Sequence, residues 1–198
     1  MNNNKKILGG DISTRAQLKA WIKADFKSYE MEHPMAARFT YGENWKLFAY
    51  MKNLRYMEWH LNNMKTGSLF VKSFHRLAYA LRWLRWRKLS QKYDVTISPN
   101  NMGPGCHLVH YGFRQILSGT KIGRNCTILP MVLIGKKSPD LTYWQITIGD
   151  NCYIGTGATI LGPVTIGNNV TIGAGAVVTK DIPDGATVVG VPGRILQI

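Results

Sequence analysis

Cysteine is scarce in this chain: three in 198 residues, at Cys106, Cys126 and Cys152. So sparse and odd a set offers no disulfide framework and no zinc spacing, and it points to a reducing compartment. Acids are scarce as well, 11 against 25 lysines and arginines, for a formal charge of +14. No apolar run approaches the length that spans a bilayer. The opening MNNNKKILGGDIST has no apolar stretch of the signal-peptide kind. A disulfide-stapled secreted domain and a helical membrane protein are therefore not expected, and the cytoplasm is.

What the chain does have is a beat of six. Ile116, Ile122, Ile128 and Ile134 are evenly spaced, and after an interruption Ile148, Ile154, Ile160, Ile166, Ile172 and Val178 resume the count. Two residues before most of them sits a small or β-branched side chain, as at Thr120, Cys126, Val132, Cys152, Ala158, Val164, Val170 and Ala176. Six is no multiple of the helical 3.6. In an extended segment positions i−2 and i share a face, so Val164 and Ile166 point inward together and Thr165 points out. The third residue after each Ile is often Gly or Asn, types that tolerate the left-handed backbone of a sharp corner. Each unit is thus a short strand and a corner, and three units close one triangular coil of a parallel β-helix. Stacked coils bury the inward Ile residues, which no single coil could do alone. Strict register over this many units argues against an antiparallel sandwich. Cys126 and Cys152 fall at the small inward position, so packing accounts for them.

Charge divides the chain in two. Residues 1–95 carry 18 Lys and Arg against 7 Asp and Glu; residues 96–198 carry 7 against 4. Five of the six tryptophans lie in the first part. That part reads as helical, with segments from Asp11 to Glu30, from Glu43 to about Met64 and from Leu69 to Lys92, and Ser13 or Thr14 could cap the first. The third segment is apolar on a wide stripe and basic elsewhere. Such a helix either packs on its neighbours with a solvated basic face or lies on an anionic membrane surface. Nucleic-acid binding has no recognition motif to support it. The expected division is a helical domain over 1–93 and a β-helix domain over 94–198.

The stretch from Ile97 to Arg194 resembles the serine acetyltransferase-like branch of the hexapeptide-repeat acyltransferases. The resemblance rests on KDIPDGATVVGVPGRIL at 180–196, on IGTGATILGPVTIGNNVTIGAGAVV at 154–178 and on HLVHYG at 107–112. It implies a left-handed β-helix with an N-terminal helical domain, a homotrimer, and acetyl transfer from acetyl-CoA to a hydroxyl. The hand comes from the resemblance alone, since ordinary crossovers favour the other one. The helical part is similar to that of polysaccharide-modifying members.

A hydroxyl needs a general base, and histidine suits that task near neutral pH. The resemblance places His110 in this role. His107, three residues away on a strand, would face the opposite side, so no two-histidine metal site is expected. Cys106 is about 13 Å from His110 along an extended chain, too far for a Cys–His pair. Serine acetyltransferases orient the ring with an acid where this chain has Thr96; Asp94 is the substitute candidate, and a backbone carbonyl would serve equally. For CoA the resemblance points to Gly135, Thr156, Gly157 and Ala174 beside the pantetheine arm and to Lys180 and Arg194 at the phosphates and nucleotide. Oxyanion donors are expected from repeat corners near Gly135.

Departures from the family pattern bear on the acceptor. Serine is small and doubly charged, and its site needs a cation and an acid. The family's acid directly before the histidine is Val109 here, and its Arg-His pair in the extended loop is Trp144 and Gln145. An unpaired ion in such a pocket would be costly. Tyr143, Trp144 and Gln145 offer an aromatic platform and an amide instead, with Arg114 as a substitute cation. The expectation is an O-acetyltransferase acting on a saccharide, a capsule or surface-glycan unit. A serine O-acetyltransferase is the alternative, and a non-catalytic scaffold or an amine acyltransferase stays open.

Overall fold

The computed structural model describes residues 11–31, 39–40, 42–143 and 145–197. Trp144 lies outside the described residues. Helices α1 (Arg15–Ser28), α2 (Gly42–Asn63) and α3 (Leu69–Tyr93) precede the strands. Thr14 caps α1 in a reciprocal box with Gln17, which satisfies two backbone donors that a helix start leaves open. Ser68 caps α3, and Asp94 ends it in the left-handed conformation. No helix among the described residues is long and apolar enough to cross a membrane.

The strands form a three-sided parallel coil. Face A holds β1 (Val95–Ile97), β3 (Arg114–Ile116), β6 (Val132–Lys136), β9 (Thr159–Gly162) and β12 (Val177–Val178), hydrogen-bonded in that order. Face B holds β4 (Thr120–Ile122), β7 (Ile146–Ile148) and β10 (Val164–Ile166). Face C holds β2 (His107–Leu108), β5 (Thr127–Ile128), β8 (Tyr153–Ile154), β11 (Thr171–Ile172), β13 (Thr187–Val189) and β14 (Arg194–Gln197). All pairs are parallel except β13 with β14, which folds back and covers the end of the coil. The register repeats the six-residue beat, with Ile116 on Ile134, Ile134 on Ile160 and Ile160 beside Val178.

Inward positions are sealed as the pattern requires: Val95, Ile97, Cys126, Ile128, Val132 and Ile134 have no exposed surface. Burying each Ile or Val contributes roughly 1.5–3 kcal/mol. The face B–C edge is stapled by side chains. Asn125, Asn151 and Asn169 sit at positive φ, and their amides bond in a ladder at 3.2 Å per step. At the adjacent Gly149 a Cβ would lie 2.6 Å from the Gly167 carbonyl, so the coils approach here as only glycine allows. The beat breaks between β6 and β7, and residues 137–143 leave the coil at the face A–B edge.

Buried charge docks the helices on the coil. The Arg55 guanidinium donates to Asp25 (2.8 and 3.3 Å) and Glu58 (3.1 Å), and also to the carbonyls of Met102 and Gly103 at 2.7 Å. Asp25 in turn accepts from the Gly105 N–H and Glu58 from the Asn100 N–H, both at 2.8 Å. Burial alone would lower the Arg55 pKa, but the two carboxylates outweigh it and raise it. One hydrophobic core runs from Tyr29, Leu47 and Met51 into the coil isoleucines.

Candidate active site

His110 sits at the first turn of the face C–A edge, where β2 leaves face C and the chain enters face A. Its φ of +59° is unusual for a residue with a side chain. Strained backbone of this kind persists only where the surroundings hold it, and it clusters at functional sites. Two residues do the holding here. Arg114, which is 1% exposed, aims its guanidinium at carbonyls of the turn and the next coil: Gly112 (3.3 Å), Ile128 (3.2 Å), Leu129 (3.0 Å) and Val109. Tyr111 stacks on Tyr93 with centroids 5.1 Å apart and planes 10° apart.

The ring itself is held by Glu43. Its carboxylate lies 3.3 Å from His110 Nδ1 and accepts the Tyr111 backbone N–H with its other oxygen. Glu43 stands in the first turn of α2, where a negative charge also suits the helix dipole. With Nδ1–H donating to Glu43, Nε2 carries the lone pair. The imidazole is 71% exposed, so that nitrogen is open to an acceptor.

Asp94 is not the carboxylate on this ring. It is exposed at the end of α3 and gives its backbone carbonyl to the Arg114 N–H at 2.9 Å. Nor is Arg114 a free cation for a substrate, because its guanidinium is spent on carbonyls. Burial lowers its pKa to about 10, partly offset by Tyr29 and Glu43. His107 turns away from His110 and packs edge-on against Tyr29 at 4.5 Å. Its pKa is lowered, chiefly by burial. Cys106 is fully buried and gives its thiol to the Gly123 carbonyl.

The edge that carries His110 continues through the other small residues singled out in the sequence. A Cβ on Gly112 would touch Pro130 at 3.2 Å, the Gly157 N–H donates to the Pro130 carbonyl, and the Gly175 N–H donates to the Thr156 carbonyl. Thr156, Gly157 and Ala174 therefore line up below His110, Ala174 three strand spacings or about 14 Å down. A Cβ on Gly175 would meet nothing within 4 Å, so this edge is open. Gly135 is not at a corner. It lies buried inside β6, where a Cβ would touch Leu117 at 3.0 Å, toward the opposite edge of face A.

That opposite edge gathers the remaining candidates. Gly119, Thr142, Tyr143 and Gln145 line a cavity of about 350 Å³ with Lys121. The Tyr143 hydroxyl donates to Gln145 Oε1 at 3.4 Å. Lys180 and Arg194 share a second cavity of about 230 Å³ where the fold-back of 190–193 meets β12. Among the described residues no group of three or more His, Cys, Asp or Glu could hold a metal ion.

A family model described as bacterial transferase hexapeptide (six repeats) matches residues 145–180. The serine acetyltransferase of Bacillus subtilis is 33% identical over 131 residues, covering 62% of this chain and 60% of that protein. This chain therefore spans about three fifths of that relative. Neisseria gonorrhoeae serine acetyltransferase in complex with serine superposes with a TM-score of 0.66 at 27% identity, over 92% of this chain and 70% of that one. Soybean serine acetyltransferase complexed with serine gives 0.65 at 28%, over 90% and 69%. The six-residue beat, the three-sided coil and these relatives together support a likeness to the hexapeptide-repeat transferases of the left-handed β-helix acyltransferase superfamily.

Proposed function

We propose that this protein transfers an acetyl group from acetyl-CoA to a hydroxyl, with His110 as general base. The observation that carries this reading is the His110–Glu43 pair at the head of an open edge lined by Thr156, Gly157 and Ala174. The acceptor hydroxyl gives its proton to Nε2 as its oxygen attacks the thioester carbonyl, and Glu43 stabilises the imidazolium that forms. The C–S bond then breaks, and the proton passes from Nε2 to the departing thiolate. Small side chains along the edge leave room for the pantetheine arm, and Lys180 and Arg194 are the cations suited to its phosphates.

Within one copy the two halves of this site do not converge. His110 heads the face C–A edge, whereas Lys180, Tyr143 and Gln145 lie on the face A–B edge. A homotrimer that packs one copy's first edge beside its neighbour's second would join them.

Serine is the acceptor that the named relatives favour, and it displaces the expected saccharide as the first reading. A saccharide stays as the second reading on one observation. Val109 and Gln145 bring no charge to the places where an amino acid's ends would bind, and Arg114 is buried on carbonyls. Competition kinetics at fixed acetyl-CoA test both. Acetylation of serine with a millimolar KM, unaffected by sugars, supports the first; transfer to a saccharide with serine inert supports the second. Failure to consume acetyl-CoA with any hydroxyl acceptor would overturn the proposal.

A further inference from the structure

Helix α3 has two apolar faces where a surface helix needs one. His75, Ser90 and Tyr93 mark its buried face, with Trp86 and Leu89 packed beside them. Away from that face Phe70, Phe74, Leu77, Leu81 and Leu84 recur at steps of four and three residues, so they form one stripe, of which Phe74 also meets the His60 ring edge-on. All are exposed, Phe70 at 88%, Leu77 at 65% and Leu81 at 60%. A contiguous row of large apolar side chains facing water marks a docking surface rather than the usual scatter of surface hydrophobes.

The charges around the stripe say what docks there. Along its 25 residues α3 carries Lys72, Arg76, Arg82, Arg85, Arg87, Lys88 and Lys92 and no acid. On one flank Arg82 and Arg85 line a cleft of about 560 Å³ with Lys52 of α2, walled by Trp45 and Tyr56. Beyond Leu84 the stripe itself turns basic at Lys88 and Lys92. Two acids of the neighbouring helices, Asp25 and Glu58, are withdrawn onto Arg55 in the interior. A two-fold pairing with a second copy would set this cationic face against its own likeness, and like charges repel. An anionic surface complements it. Basic residues around a Phe- and Leu-rich face are the composition of a helix that lies in the interface of a bilayer.

We propose that α3 docks the protein on an anionic phospholipid surface. The stripe from Phe70 to Leu84 sits at the boundary of headgroups and acyl chains, and lipid phosphates occupy the cleft of Arg82, Arg85 and Lys52. This inference does not rest on the proposed reaction. Co-sedimentation with vesicles of phosphatidylcholine alone and of phosphatidylcholine mixed with phosphatidylglycerol tests it, alongside solution mass by light scattering. The protein should bind only the mixed vesicles and be released as ionic strength rises. Leu77→Asp and Leu81→Asp, both at exposed positions, should weaken binding at least about 10-fold, and Arg85→Gln about 5-fold. Circular dichroism of each variant confirms that the helices persist. Absence of binding to the mixed vesicles at low ionic strength, or binding that salt leaves unchanged, would overturn the proposal. So would a Leu81→Asp variant that binds vesicles normally but has a lower solution mass, because the stripe would then belong to a second copy.

Discussion

Glu43 and Arg114 show how far a single residue's role depends on the fold around it. Glu43 touches the His110 ring from a helix 67 residues upstream. Glu43→Gln keeps the shape and removes the charge that steadies the imidazolium. Turnover should fall by up to about 10²-fold, with the KM for acetyl-CoA and the melting temperature nearly unchanged; a parallel loss of stability would make the residue merely structural. His110 was legible in the sequence because the string HLVHYG lies at a fixed place before the repeats. Glu43 was not, since no spacing or motif ties the start of one helix to a turn of a distant coil. Asp94 looked suitable because it shares a strand face with the expected carboxylate position, but it closes α3 instead. Arg114 reads as a free cation until its own turn and the next coil each present two carbonyls to its guanidinium.

At the scale of elements, the coil was written in the sequence and the helix contacts were not. A register error in a β-helix would turn every inward Ile out, so the beat has to be explicit. Gly149 extends that logic to a corner. Gly149→Ala would drive a methyl into the Gly167 backbone and should cost about 1–3 kcal/mol, visible as a lower urea midpoint; an unchanged midpoint would mean that the coils part without strain. Helices α1, α2 and α3 were legible from periodicity and from the cap at Thr14. Nothing in that periodicity disclosed the pair at their interface, His60 Nδ1 and His75 Nδ1, 3.0 Å apart beside Trp59 and Phe74. Burial first, then His75 and Arg82, lower the His60 pKa from 6.5 to about 4. Burial, then Arg15, lowers that of His75 as well. Each ring is thus harder to protonate folded than unfolded. The stability they contribute is complete above pH 6.5 and is lost as pH falls toward about 4. Thermal melts across that range should show a steeper fall for the wild type than for His60→Gln, which cannot titrate there. Identical slopes would remove the pair from the pH response.

For the whole molecule, the joint between helices and coil depends on Arg55. Arg55→Met strands the Asp25 and Glu58 carboxylates in the interior and should cost about 3–5 kcal/mol. Urea unfolding measures it, and a loss below about 1 kcal/mol would mean that water reaches the joint. The joint also brings Glu43 to His110, so the helices form part of the candidate site. Composition suggested two domains with separate tasks, and only the structure brings a residue of the first to the histidine of the second. The most direct measurement of the central claim is steady-state release of free CoA from acetyl-CoA with serine as acceptor, wild type against His110→Asn. The expected result is turnover by the wild type, with kcat about 10²–10⁴-fold lower in the variant and the KM for acetyl-CoA changed little. A variant that turns over like the wild type would contradict the assignment of His110 as the base.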